Sequence, residues 1–203
     1  MTRFLFVRHG QTAHNSLGQI STLPPGGPLS PDGIAQAQAL ASRLSVLPIT
    51  AVCASPLQRA QQTATILAEP HGLPVSVEPD LTEIAAGEVD GRDDPEAFAI
   101  LNGALDAWCL GDLDVRIGEK GECGHDIVRR FRRLVARLGQ QHPGGVVIVV
   151  SHGGLLQAGT PWLCTNLTPR FGLGRLVANT AVIDVTYTAG DRKSTRLNSS
   201  HER

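Results

Sequence analysis

The chain has 203 residues, of which 41% are hydrophobic and 18% charged, enough for one compact domain with a sizeable core and too few for two comfortable ones. A formal net charge of -1 argues against both the basic footprint of a nucleic-acid binder and a membrane-surface protein. No apolar run reaches the length of a membrane span and the first residues lack a signal-peptide pattern, so a cytoplasmic location is expected.

Arg3-Phe4-Leu5-Phe6-Val7-Arg8 has the β-branched and aromatic content of a strand. Residues 11–29 contain Gly18, Pro24, Pro25, Gly26, Gly27 and Pro28, which predicts a long irregular loop of the kind that forms functional rims or lids. Ser30-Pro31 opens a helix as cap and first-turn proline, with Ile34, Ala37, Leu40, Ala41 and Leu44 on its inward face. A short strand is predicted over 50–54, and Ser55-Pro56 repeats the cap-then-proline start. The helix after it, over 57–69, buries Ala60, Ala64 and Leu67. Another short strand is predicted at 73–77. Residues 88–120 read as one helix around 96–110 flanked by loops.

The stretch 126–140 is amphipathic, with Ile127, Phe131, Leu134, Val135 and Leu138 facing inward. Its outer face carries Arg129, Arg130, Arg132, Arg133 and Arg137, read as a solvated helix face rather than a polyanion site. Gly145-Val146-Val147-Ile148-Val149-Val150 is nearly all apolar, as a central strand buried on both faces should be. A helix from about 154, a glycine-rich connection and a last strand near 178–188 complete the order. Strands alternating with helices predict the α/β class, a three-layer α/β/α sandwich with a mostly parallel central sheet.

Cys53, Cys109, Cys123 and Cys164 lie far apart, without paired Cys/His spacing. Reduced, mostly buried thiols are expected, and no metal site. Residues 191–201 read DRKSTRLNSSH, a polar string that resembles the translation of a DNA-sequencing adapter. The domain is therefore expected to span 1–190, with 191–203 a non-native tail in which His201 and Arg203 have no role.

Open α/β sheets bind ligands beyond the carboxyl ends of their strands. Arg8-His9-Gly10-Gln11-Thr12 follows the first predicted strand, Ser55-Pro56-Leu57-Gln58-Arg59 the second, and Ser151-His152-Gly153-Gly154 the long apolar one. Two histidines and two arginines are thus brought to one rim of the sheet. Such a cluster suits a phosphoryl group, because arginine forks bind its oxygens in bidentate fashion and nearby helix N-termini add backbone donors.

The order of these segments, with an acidic stretch between the second and third, resembles the histidine phosphatase (phosphoglycerate mutase-like) superfamily over nearly all of residues 3–188, in its small cofactor-independent phosphatase branch. The resemblance implies that His9 is the nucleophile forming a phosphohistidine, and that Arg8, Arg59 and His152 stabilise the transferring phosphoryl group. It implies that Glu83, in Leu81-Thr82-Glu83-Ile84, is the general acid, and that Asn15 touches the phosphate. Gln11, Thr12, Gln19 and Gly153 complete the predicted substrate-binding set. A metal-independent phosphatase of a small phosphorylated metabolite is expected, with no cofactor and a homodimer as one assembly the family uses. The alternatives are a phosphoglycerate mutase and a non-catalytic phospholigand-binding module. The short stretch from Glu83 to His152 favours hydrolysis over isomerisation, and the full set of core residues favours an enzyme. The chain departs from the family's usual pattern at Val89, where tryptophan is common, at Lys120-Gly121-Glu122-Cys123, where G-G-E-S is common, and around Gly18-Gln19-Ile20. All three lie on the leaving-group side, so they bear on specificity.

Overall fold

The computed structural model describes residues 1–188 and the backbone of residues 196–197. Its strands are β1 (Thr2–Arg8), β2 (Ile49–Ala54), β3 (Val75–Val77), β4 (Val146–Ser151), β5 (Val182–Tyr187) and β6 (Arg196–Leu197). They form one sheet in the order β3-β2-β4-β1-β5-β6. β3, β2, β4 and β1 run parallel, β5 is antiparallel to β1, and β6 is antiparallel to β5. The helices are α1 (Ala13–Leu17), α2 (Pro31–Leu44), α3 (Gln58–Ala68), α4 (Pro95–Leu110), α5 (Gly124–Gln141) and α6 (Gly153–Leu163).

Alternation along the strands sorts the core into two halves. Phe4, Phe6, Val147 and Val149 pack against apolar residues of α4, α5 and α6. Leu5, Val7, Ile148 and Val150 pack against α2 and α3. The architecture is the expected α/β/α sandwich with a mostly parallel sheet. β4 sits between β2 and β1 and is buried on both faces, which is why its sequence is a continuous apolar run. Phe6 meets Phe131 of α5 edge to face at 5.2 Å, a geometry worth about 1 kcal/mol beyond the area buried.

Four expectations change. The loop over 11–29 contains the short helix α1, capped by the Thr12 side chain accepting from Asn15 N. Ile34 is 42% exposed; Gly33, its neighbour, takes the inward position against the Gln11 backbone, which turns Ile34 toward a surface groove beside Leu29 and Ile66. Ser55 does not cap α3, whose cap position is Leu57. The arginine face of α5 is ion-paired rather than merely solvated: Arg133 pairs with Asp80, Arg137 with Glu78, and the half-buried Arg130 with Glu122.

Cys53, Cys109 and Cys164 are buried and all four cysteines are free. Among the described residues no helix is long and apolar enough to cross a membrane, and no group of three or more His, Cys, Asp or Glu converges as a metal site would. The expected non-native tail, residues 191–203, lies outside the described residues apart from the backbone of β6.

Candidate active site

Strands β2, β4 and β1 are neighbours, and their carboxyl ends are level. Ala54 pairs with Val150, and Ser151 with Arg8. The next residue on each strand is therefore Ser55, His152 or His9, and the three meet at one edge of the sheet. Backbone bonds continue the register, from His9 N to Ser151 O and from Ser55 N to Val150 O, both 3.0 Å.

His9 is 2% exposed. Its Nδ1 lies 2.7 Å from the Gly10 carbonyl, and Arg59 Nε donates to its Nε2 at 3.0 Å. A guanidinium can only donate. Nε2 is therefore the lone-pair nitrogen, and Nδ1 carries the proton given to Gly10 O. Burial pushes the His9 pKa well below the usual imidazole range, the Arg59 and Arg8 charges push it further, and the Gly10 carbonyl opposes them. The His152 ring, fully buried, stands 5.2 Å from that of His9. Burial first, then the neighbouring cations Arg59, Arg130 and Arg8, hold its pKa well below the usual range too, and a proton on His9 would lower it further. The site thus presents two neutral imidazoles.

Arg59 occupies the first turn of α3 and is 4% exposed. Its Nη2 donates to Ser21 O at 2.8 Å. Thr63, one turn on, accepts from Gly10 N at 3.0 Å and donates to Arg59 O at 2.8 Å, which latches α3 to the histidine loop. Arg8 Nη1 donates to Val177 O at 2.6 Å, while its Nε is buried without a partner among the described residues. Burial lowers the pKa of both arginines, and the negative charge of Glu83 acts in the opposite sense on each. Two cations and one anion therefore share the rim.

Glu83 follows the turn at Pro79–Leu81, which Ser151 Oγ ties to β4 by donating to Leu81 O at 2.9 Å. Its Oε2 accepts from Gly154 N at 3.0 Å, and its Oε1 from Leu155 N and Ile84 N, each at 2.9 Å. The carboxylate thereby satisfies the first turn of α6, where the helix dipole favours negative charge. Glycine at 154 permits the approach, since a Cβ there would lie 3.0 Å from Glu83 Oε1 and 2.8 Å from Ile84 Cδ1.

The remaining predicted residues divide. Asn15 Oδ1 accepts from Thr12 N at 3.2 Å and from Asn179 Nδ2 at 3.4 Å. Thr12 is the buried cap of α1. Gly153 opens α6, where a Cβ would stand 3.2 Å from Arg8 Nε. Gln11 and Gln19 turn elsewhere: Gln11 Oε1 accepts from Ser30 Oγ at 3.2 Å, and Gln19 Nε2 donates to Gly91 O at 2.7 Å. Of the positions that depart from the family's usual pattern, Val89 is fully buried and contributes to the core. The Cys123 thiol donates to Asp126 Oδ2 at 3.2 Å at the start of α5.

Asn179 escaped the sequence reading. Its Nδ2 donates to His9 O at 2.9 Å, from the turn that leads into β5. The next residue, Thr180, has φ +56°, a region that β-branched residues rarely enter. The only local signal was a turn-forming asparagine before a strand.

The chain has counterparts among known proteins. The sequence profile of the histidine phosphatase superfamily (branch 1) matches residues 4–200. The chain belongs to the histidine phosphatase superfamily. It is 34% identical over 154 residues to the adenosylcobalamin/alpha-ribazole phosphatase of Escherichia coli (strain K12), covering 76% of this chain and 75% of that one. It is 33% identical over 172 residues to a metal-independent phosphoserine phosphatase of Arabidopsis thaliana, covering 78% and 67%. Among solved structures, a mycobacterial glucosyl-3-phosphoglycerate phosphatase in complex with VO3 superposes with a TM-score of 0.83 at 29% identity, covering 98% of each chain. This histidine phosphatase is accordingly a phosphoric ester hydrolase whose relatives act on small phosphorylated metabolites.

Proposed function

We propose that the chain hydrolyses the phosphate monoester of a small metabolite through a phosphohistidine on His9. The observation that carries this reading is the proton placement at His9. Gly10 O holds the Nδ1 proton, so the Nε2 lone pair faces the Arg59 guanidinium, where a phosphoryl group would be drawn in.

In the first step a bond forms between Nε2 and phosphorus as the bond to the ester oxygen breaks; Glu83, an anion in the free site, takes up a proton as substrate binds and passes it to the leaving alkoxide. Arg8, Arg59 and His152 stabilise the equatorial oxygens, Arg8 Nε and His152 Nδ1 being buried polar atoms with no partner among the described residues. In the second step water attacks phosphorus and gives its proton to Glu83. The N–P bond breaks, its electron pair returns to Nε2, and inorganic phosphate leaves. Asn15 adds a polar contact at the phosphate. Thr12 and Gly153 shape the rim through their backbone, while the Gln11 and Gln19 side chains, bonded to Ser30 and Gly91, border it.

Phosphoserine, alpha-ribazole phosphate and glucosyl-3-phosphoglycerate, drawn from the names of the relatives, form the substrate panel. A cytoplasmic setting goes with this reading, supported by four free thiols of the kind a reducing compartment preserves. The test is phosphate release from p-nitrophenyl phosphate and from the panel with EDTA present, beside 3-phosphoglycerate isomerisation. Release that survives EDTA and vanishes in His9→Ala is expected. Full turnover by His9→Ala overturns the nucleophile assignment, and isomerisation without release makes the protein a mutase.

A further inference from the structure

Ser55 has no part in the scheme above, yet it is fully buried beside the second histidine. Its Oγ lies 2.7 Å from His152 Nε2 and accepts from Leu57 N at 3.3 Å. The hydroxyl has one proton to give, and a neutral imidazole carries its proton on one nitrogen only. Two proton arrangements fit the distance, and they leave different groups unsatisfied.

If His152 Nε2 carries the proton and donates to Ser55, the hydroxyl proton of Ser55 has no acceptor and Nδ1 is a bare lone pair. Both groups are then buried and unmatched. If Ser55 donates to Nε2 instead, the hydroxyl is satisfied and only the Nδ1–H is left over. That atom is buried and without a partner among the described residues. Each buried polar group left unmatched carries a penalty, so the second arrangement is the better one.

The Nδ1–H is then an unused donor in a pocket that holds another, Arg8 Nε. Arg8 is near enough for its charge to act on the His152 ring, and a Cβ on Gly153, the residue after His152, would stand 3.2 Å from Arg8 Nε. Two orphaned donors beside a nucleophilic nitrogen are complementary to the oxygens of a phosphoryl group.

We propose that Ser55 is a positioning residue that fixes His152 as the Nδ1–H tautomer, so that a neutral ring donates a hydrogen bond to a phosphoryl oxygen. This rests on the reading that phosphate is bound between the two histidines. It assigns His152 a role that needs no imidazolium. It also gives the serine that follows β2 a role other than helix capping: the hydroxyl reaches across to the residue after β4 and sets the donor there. With the serine gone, the ring is free to place its proton on either nitrogen.

The experiment combines ring-nitrogen NMR of histidine-labelled protein with kinetics on p-nitrophenyl phosphate, using Ser55→Ala, Ser55→Thr and His152→Asn. Asparagine puts an amide donor where Nδ1 stands and has no tautomer to fix. The wild-type spectrum should show His152 protonated at Nδ1 and unprotonated at Nε2, with that preference lost in Ser55→Ala. Ser55→Ala should lower kcat about 10- to 100-fold, Ser55→Thr should recover most of the loss, and Ser55→Ala should cost little further in the His152→Asn background. A wild-type ring protonated at Nε2 overturns the proposal, as does unchanged kcat in Ser55→Ala. A wild-type protein that releases phosphate from no ester brings down the functional reading, while the NMR spectrum still decides the tautomer.

Discussion

Lowering the pH from about 7.5 to about 5.5 should cost the folded protein about 3 kcal/mol through His9 and His152 alone. Both rings are buried, at 2% and 0% exposure. Both are held well below the ordinary imidazole pKa by burial first and by neighbouring positive charge second. In the unfolded chain each titrates near 6.5. Between that value and the lower folded one, the unfolded chain binds protons that the native state does not. Stability is therefore complete above the unfolded pKa and is lost as the pH falls. One pH unit below 6.5 the linkage amounts to about 1.4 kcal/mol for each ring that stays neutral in the fold, hence about 3 for the pair. That is a large share of the roughly 5–15 kcal/mol by which domains are stable. The assay is urea unfolding at the two pH values, on wild type and on the double variant His9→Gln/His152→Gln. Groups common to both proteins subtract out, including Asp94, whose carboxyl Arg92 holds down to about 2. The loss on acidification should be smaller in the double variant by about 3 kcal/mol. An equal loss in the two would refute the burial argument.

Arg59→Gln should lower kcat by about 10²- to 10³-fold. Because the Arg59 charge is second only to burial in depressing His9, its loss should move the acid limb of kcat/KM to higher pH; a limb that stays in place would remove Arg59 from the control of the nucleophile. Glu83→Gln should slow alkyl phosphates by about 10²- to 10⁴-fold while sparing aryl phosphates, which scarcely need an acid; equal losses on both would move the acid role to another carboxylate. Gly33→Ala would drive a Cβ into the Gln11 carbonyl oxygen and to 2.8 Å from Gln11 N. Displacing the histidine loop should cost about 1–3 kcal/mol in urea unfolding and about 10²-fold in kcat, and wild-type values in both would mean that the contact between helix and loop gives way freely.

The sheet, its helical cover and the histidine–arginine rim were legible from the chain because their signals are local. The apolar run of β4 needs only its own composition to read as a strand buried on both faces, and the spacing within α5 needs only itself to place Phe131 and Leu134 inward. His9 and His152 follow such strands directly, and Arg59 opens the helix after a third, so an ordered sheet sets them side by side. Local signals failed where the partner is distant. Ile34 fits the inward periodicity of α2, but the neighbour on that side is the Gln11 backbone, which only Gly33 can meet. Ser55 before a proline reads as a helix cap. The lateral register of β2 on β4 instead carries its hydroxyl to within 2.7 Å of a ring 97 residues away. Asn179 reaches His9 O across 170 residues, and no pattern near it announces that contact. The proton positions belong to the same class. The two nitrogens of an imidazole are indistinguishable in a sequence and differ only through their partners. Gly10 O and Arg59 divide the roles in His9, and Ser55 divides them in His152, so the placement of the pocket's donors and its lone pair was decided by tertiary contact alone.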